Sequence, residues 1–162
     1  MKYLIGIVLF SFTLSAFGQQ EWADTSFTNK KEAKNKTANG LKEGKWIEYF
    51  GEKNGVAIQT NKKHATAYTL TIYKAGKVHA TRQFYMDGKL MTERIHHGKD
   101  LTFFRFYYES GKVLSEVTFP SDSKSRTERD YYESGKLKKE VIYTQGSPTL
   151  TKNYDENGNE IK

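Results

Sequence analysis

Two sets of side chains have types that could do chemistry. One is the recurring acidic set Glu93, Glu116 and Glu140; the other is the histidine cluster His96-His97-Gly98-Lys99-Asp100. A glycoside-cleaving site needs two carboxylates facing each other across a cleft. A metal centre needs ligands that converge, yet adjacent histidines at a strand end point to opposite faces, so a plain turn is the better reading of that cluster. His64 and His79 have no partner that spacing can supply. No Ser-His-Asp spacing, phosphate-cradling glycine loop or metal-ligand spacing stands out, and Gly51-Glu-Lys-Asn-Gly55 reads as a turn. The pattern therefore implies no catalytic residue, no metal and no cofactor.

The elements that would position these residues come from internal repetition. Tyr-x-x-Gly-Lys-(Val/Leu) occurs at Tyr73, Tyr85, Tyr108 and Tyr132, and a looser copy at Tyr154 to Ile161 carries one extra residue. The glycines Gly76, Gly88, Gly111, Gly135 and Gly158 are spaced 12, 23, 24 and 23 apart, a period of about 23 with a first half-step. Asp87-Gly88, Ser110-Gly111 and Ser134-Gly135 lie between runs of aromatic and β-branched residues, as two-residue type I′ hairpin turns would. That register sets Arg82 across from Glu93, Arg105 from Glu116 and Arg129 from Glu140. It also sets Tyr85 across from Leu90, Tyr108 from Val113 and Tyr132 from Leu137. Both kinds of pair are favourable on a sheet, at roughly 0.2–1 kcal/mol each. The glutamates should then be ionised and structural, not catalytic.

Alternation divides the third unit into two faces. Phe104, Phe106, Tyr108, Val113, Val117 and Phe119 share one, expected to be packed. Arg105, Tyr107, Leu114, Glu116 and Thr118 share the other, expected to be wet. Across the repeats the wet face carries Arg82, Phe84, Arg105, Tyr107, Arg129 and Tyr131, a composition suited to recognition and equally to holding a sheet together. These six are the candidate binding residues. No sustained helical period occurs, and only Lys30–Lys36 could make a turn of helix.

Residues 39–50, Asn-Gly-Leu-Lys-Glu-Gly-Lys-Trp-Ile-Glu-Tyr-Phe, resemble the first half of a MORN-variant repeat. Tyr108–Glu116 and Tyr132–Glu140 resemble its second half. The resemblance spans about residues 39–161, departing from the pattern at 51–68 and in the polar loop 120–126. It implies an all-β antiparallel meander to which each repeat adds one hairpin, and a family in which some bacterial members are labelled antitoxin-like.

The N-terminus adds a compartment. Lys2 precedes an apolar run from Leu4 to Leu14, and Ser15-Ala-Phe-Gly18 places small residues before Gln19. This reads as a signal peptide, residues 1–18, cleaved between Gly18 and Gln19, since the run is too short for a membrane anchor. Residues 19–38 are then a polar mobile arm, unless Trp22 and Phe27 pin it, and 39–162 the repeat domain. The chain has no cysteine, so stability rests on packing and ladders. Cleavage would take the formal charge from +7 to +6 by removing Lys2. The expected function is a secreted or periplasmic, non-enzymatic binding or scaffold protein. Its partner would be another protein or an anionic envelope polysaccharide, not nucleic acid. The alternative is an immunity or antitoxin-like protein that neutralises a toxin domain by contact.

Overall fold

The computed structural model describes residues 27–121 and 124–161. The segment read as a signal peptide, its cleavage site and the first part of the arm lie outside the described residues. Twelve strands form one antiparallel sheet: β1 (Lys36–Ala38), β2 (Leu41–Lys53), β3 (Val56–Thr60), β4 (Ala67–Lys74), β5 (Lys77–Tyr85), β6 (Leu90–His97), β7 (Asp100–Tyr107), β8 (Val113–Thr118), β9 (Ser125–Tyr131), β10 (Leu137–Thr144), β11 (Ser147–Tyr154) and β12 (Glu160–Ile161). Strand order follows chain order from β4 to β12, so the fold is the all-β meander of hairpins that the repeat predicts. The departure at 51–68 is an added hairpin. There β3 folds back on the far end of β2, along the edge away from β4, and a one-turn helix at Lys62–His64 leads into β4. Gly51 is required at that corner, because a Cβ there would stand 2.7 Å from the His64 carbonyl oxygen.

Turns of two classes alternate between the two ends of the sheet. Along one end Ala75-Gly76 and Gln145-Gly146 hold both central residues at positive φ, as type I′ turns do, while Gly98 alone is positive at the His97–Asp100 turn. At the other end the expected type I′ turns are absent. Asp87, Ser110 and Ser134 do not take positive φ. Instead the Gly88 N–H donates to the Tyr85 carbonyl (3.0 Å) and the Tyr85 N–H to the Lys89 carbonyl (2.9 Å), a three-residue loop with glycine in the left-handed position. Tyr108-to-Lys112 and Tyr132-to-Lys136 repeat these two bonds. So does Asp155-to-Asn159, which shows that the last copy has no extra residue: Asp155 stands in the tyrosine position and Tyr154 in that of Tyr131.

The longer loop shifts the register next to it. Phe84, not Tyr85, faces Leu90; Tyr107 faces Val113; Tyr131 faces Leu137. The surplus residue is absorbed as a β-bulge, and the same happens at nearly every strand start. His79, Met91, Thr102, Leu114, Lys138 and Thr149 are the unpaired residues, one in each of β5, β6, β7, β8, β10 and β11. A bulge bends its strand and increases the local right-handed twist. Bulges recurring about every twelve residues make the sheet coil, which is how one layer comes to bury side chains on one of its faces.

The core cluster lies on the face expected to be wet, although Val141, in the row of Phe104 and Val117, is also buried. Leu70, Ile72, Ala80, Ile95 and Phe103 form the core with Tyr68 and Phe84, and register puts all of them on the face of Arg82 and Glu93. Phe106, expected to be packed, is 38% exposed. In the third unit Phe103 is the buried residue, while Phe104, Tyr108, Val113, Val117 and Phe119 are half-buried and Leu114, expected to be wet, is 37% exposed. Residues 27–35 complete the core. Phe27 is 1% exposed within this cluster and Ala33 packs on it, so this part of the expected mobile arm is docked as a strap.

Candidate binding face

The enclosed face is built from three cross-strand rows. Along the middle one, register places Ile47, Leu70, Arg82, Glu93, Arg105, Glu116, Arg129, Glu140 and Lys152 side by side on β2, β4 and then β5 to β11. From Arg82 onward the charge alternates at every strand. Within hairpins the pairs are close: Arg82 Nη2 to Glu93 Oε1 2.5 Å, Arg105 Nη2 to Glu116 Oε2 2.7 Å, Arg129 Nε to Glu140 Oε1 2.7 Å. Between hairpins they are looser, 4.0 Å from Glu93 to Arg105 and 3.7 Å from Glu116 to Arg129. The three Arg–Glu pairs expected from the repeat are all present.

The second row is aromatic and supplies a further donor. Tyr107 Oη donates to Glu93 (3.1 Å) and Tyr131 Oη to Glu116 (2.8 Å), each reaching back to the preceding hairpin. Burial pushes the Tyr131 hydroxyl up to about 12, helped by the Glu116 hydrogen bond and charge. Burial also raises Tyr107, with Glu93 adding to it. Burial alone would raise Glu116, but hydrogen bonds from Arg105 and Tyr131 and the charges of Arg105 and Arg129 hold it below its ordinary value. A carboxylate gripped in this way has no proton to give at neutral pH, so Glu116 serves as a fixed anion in the row. Phe84 is not on offer for recognition, being buried and stacked on Tyr68 with ring centroids 5.1 Å apart. A second tyrosine set, missed at the level of sequence, ties repeats together: Tyr108 and Tyr132 donate to the carbonyls of Tyr131 and Tyr154, both at 2.8 Å.

The third row is apolar at its start, Ile72–Ala80–Ile95–Phe103, and continues through Thr118 and Thr127 to Ile142 and Leu150. Its first four members are buried, whereas Leu150 is 40% exposed. The ionic row opens in the same direction: the Arg82 side chain is 14% exposed, that of Arg129 38%. The histidines do not converge. His97 closes the turn opposite Asp100, and burial, with Arg94 and His79 nearby, lowers His96 below its ordinary value. Among the described residues no group of three or more His, Cys, Asp or Glu could hold a metal ion.

The repeating unit is therefore a hairpin with a glycine-bulge turn, an Arg–Glu pair and a tyrosine reaching back to the previous unit. Comparison with known families finds the MORN repeat variant at residues 104–119 and 127–145, the β7–β8 and β9–β10 hairpins. These two hairpins match the MORN repeat variant. The β5–β6 hairpin, outside the matched residues, has the same turn and the same Arg–Glu pair. No curated protein matches the chain.

Proposed function

We propose that the protein is an exported, non-enzymatic MORN-repeat binding protein that docks a partner on the open end of its enclosed face. One observation carries this reading. The middle row runs unbroken from β4 to β11, but the core cluster beside it stops at Phe103. Beyond it, Ile142 and the exposed Leu150 lie beside Arg129, Glu140 and Lys152, with Tyr154 at the margin, an apolar strip edged by two cations and the glutamate between them. Such a strip suits an acidic protein surface or an anionic glycan. Export rests on the apolar leader ending at Gly18.

Affinity capture from the native envelope extract tests it, using the chain beside a Leu150→Glu/Lys152→Glu variant. A stoichiometric partner held by the chain and lost by the variant is expected. A toxin domain as that partner would make the protein an immunity factor. Equal binding by the two, or binding by neither, would overturn the docking role of this strip.

A further inference from the structure

On the side of β2 away from β4 the sheet ends on short pieces of chain. β1 pairs residues 41–43, Asn35 exchanges hydrogen bonds with Ile47 through its Oδ1 (2.9 Å) and its Nδ2 (3.0 Å), and β3 pairs residues 49–53. The outer edge therefore passes from β2 to these pieces. β1 is three residues long and carries Lys36, a charge of the kind that blunts an edge. β3, Val56-Ala57-Ile58-Gln59-Thr60, is different. It has no charge, no proline and no bulge, and among the described strands it pairs with β2 alone. Val56 is 62% exposed and Ile58 38%. A regular, apolar, neutral edge is a template for another strand.

The turn before β3 sets which of its backbone groups are free. Asn54 and Gly55 both take positive φ, as in a type I′ turn, so the flanking Lys53 and Val56 form a hydrogen-bonded pair. Alternation then directs the backbone groups of Val56, Ile58 and Thr60 toward β2 and those of Ala57 and Gln59 outward. β2 has the matching phase: Ile47 bonds the strap on the β3 side, while the Phe50 carbonyl accepts from the Thr66 N–H on the β4 side at 2.9 Å. Two copies of β3 laid antiparallel can thus exchange main-chain bonds, Ala57 of each with Gln59 of the other. That register puts Ile58 on the two-fold axis, against Ile58 of the second copy, and Val56 against Thr60. No like charges fall opposite one another, and each strand ends at the uncharged Asn54-Gly55 turn of the other.

We propose that β3 is a self-association edge, at which two copies of this chain pair about a two-fold axis through Ile58. The strand supplies both halves of every cross-strand pair, which fits it to a second copy. So short a contact buries little surface, and the dimer is therefore concentration-dependent. β3 lies at the opposite end of the strand order from β11, so pairing leaves both docking strips open and makes the assembly bivalent.

The absence of cysteine allows the axis to be located by crosslinking. Only a residue on the axis meets its own copy. Ile58 would face Ile58 as a non-hydrogen-bonded pair with Cα atoms about 4.5 Å apart, within disulfide reach. Val56, although more exposed, would stand four residues from its copy, roughly 13 Å along the strand. The gene product is made with its leader and recovered as the cell processes it. Under mild oxidation Ile58→Cys is expected to give a covalent dimer and Val56→Cys to remain a monomer. Equal crosslinking by the two, or none by Ile58→Cys, would overturn the proposal. Sedimentation equilibrium of the unsubstituted chain should show monomer and dimer in a ratio set by concentration. Gln59→Pro should abolish the dimer, because it deletes an outward N–H and leaves the β2–β3 ladder whole. A monomer at every concentration, or a dimer that survives Gln59→Pro, would also refute the pairing. Neither result touches the capture assay, whose substitutions are in β11.

Discussion

The β4–β7 and β8–β11 stretches of the enclosed face use the same rows, the same bulges and the same Arg–Glu pairs, yet only the first is a sealed core. The difference is nine residues of strap. Phe27 and Ala33 lie against the first stretch, and the apolar row beneath them stays aliphatic or aromatic from Ile72 to Phe103. Beyond β7 that row passes through Thr118 and Thr127 before Ile142 and Leu150, so it is interrupted where the cover ends. A coiled single sheet encloses its inner face in part and cannot finish the task alone. Where the strap covers the face it becomes a core, and beyond the strap no described segment seals it.

The sharpest way to break this contrast is to remove the cover's anchor. Phe27→Ala should cost about 3–5 kcal/mol, the range for deleting a buried aromatic side chain, read as a lowered denaturant midpoint. Leu150→Ala, at the matching uncovered end, should cost less than about 1 kcal/mol, because little burial is lost. Equal effects would mean that the two stretches are not energetically distinct.

The ionic row gives a finer test. Glu93→Gln leaves the enclosed Arg82 without its counter-charge and weakens the acceptor of Tyr107, and should cost about 3 kcal/mol. Glu140→Gln removes the same kind of pair at the open end, where Arg129 meets water and still has Glu116 at 3.7 Å, and about 1 kcal/mol is expected. A double-mutant cycle with the facing arginine would separate pair energy from the penalty of the orphaned charge.

Much of this contrast was legible in the sequence, but not which face it lay on. The Arg–Glu pairs followed from a period of about 23 and a turn glycine, because the bulge after each longer loop restores the register before the pair is reached. The tyrosine–aliphatic pairs slipped by one because Asp87-Gly88 and Ser110-Gly111 suit a three-residue loop as well as a type I′ turn. The choice depends on φ at a single residue. Phe104 and Phe106 made one side of β7 look like the core, while Phe103, on the other side, was the residue enclosed. Alternation assigns sides and does not say toward which one the sheet coils. Of the six candidate binding residues, Phe84 is core and Arg82 is enclosed. Arg105 and Tyr107 lie at the boundary, leaving Arg129 and Tyr131 at the margin of the open strip. The strap was the least legible feature: Phe27 stands alone in a polar stretch, and nothing in the period connects it to Leu70.

The smallest effect expected is a pH dependence within the second stretch, where Tyr131 of β9 grips Glu116 of β8. Glu116 is held below its ordinary value of 4.5, so its contribution is complete above that pH and is lost as pH falls through the lower folded value. Tyr131 has the opposite sign: raised from 10.0 to about 12, it contributes fully below pH 10 and loses that contribution as pH rises through about 12. Denaturant midpoints measured across both limbs should therefore form a plateau that falls off at each end. Tyr131→Phe should abolish the alkaline fall attributable to this hydroxyl. It should also remove part of the acid limb, because Glu116 loses one of the three hydrogen bonds that hold it down while keeping the two from Arg105. An acid limb unchanged by Tyr131→Phe would mean that Arg105 alone sets the state of Glu116, and that the tyrosine couples the hairpins through packing and not through charge.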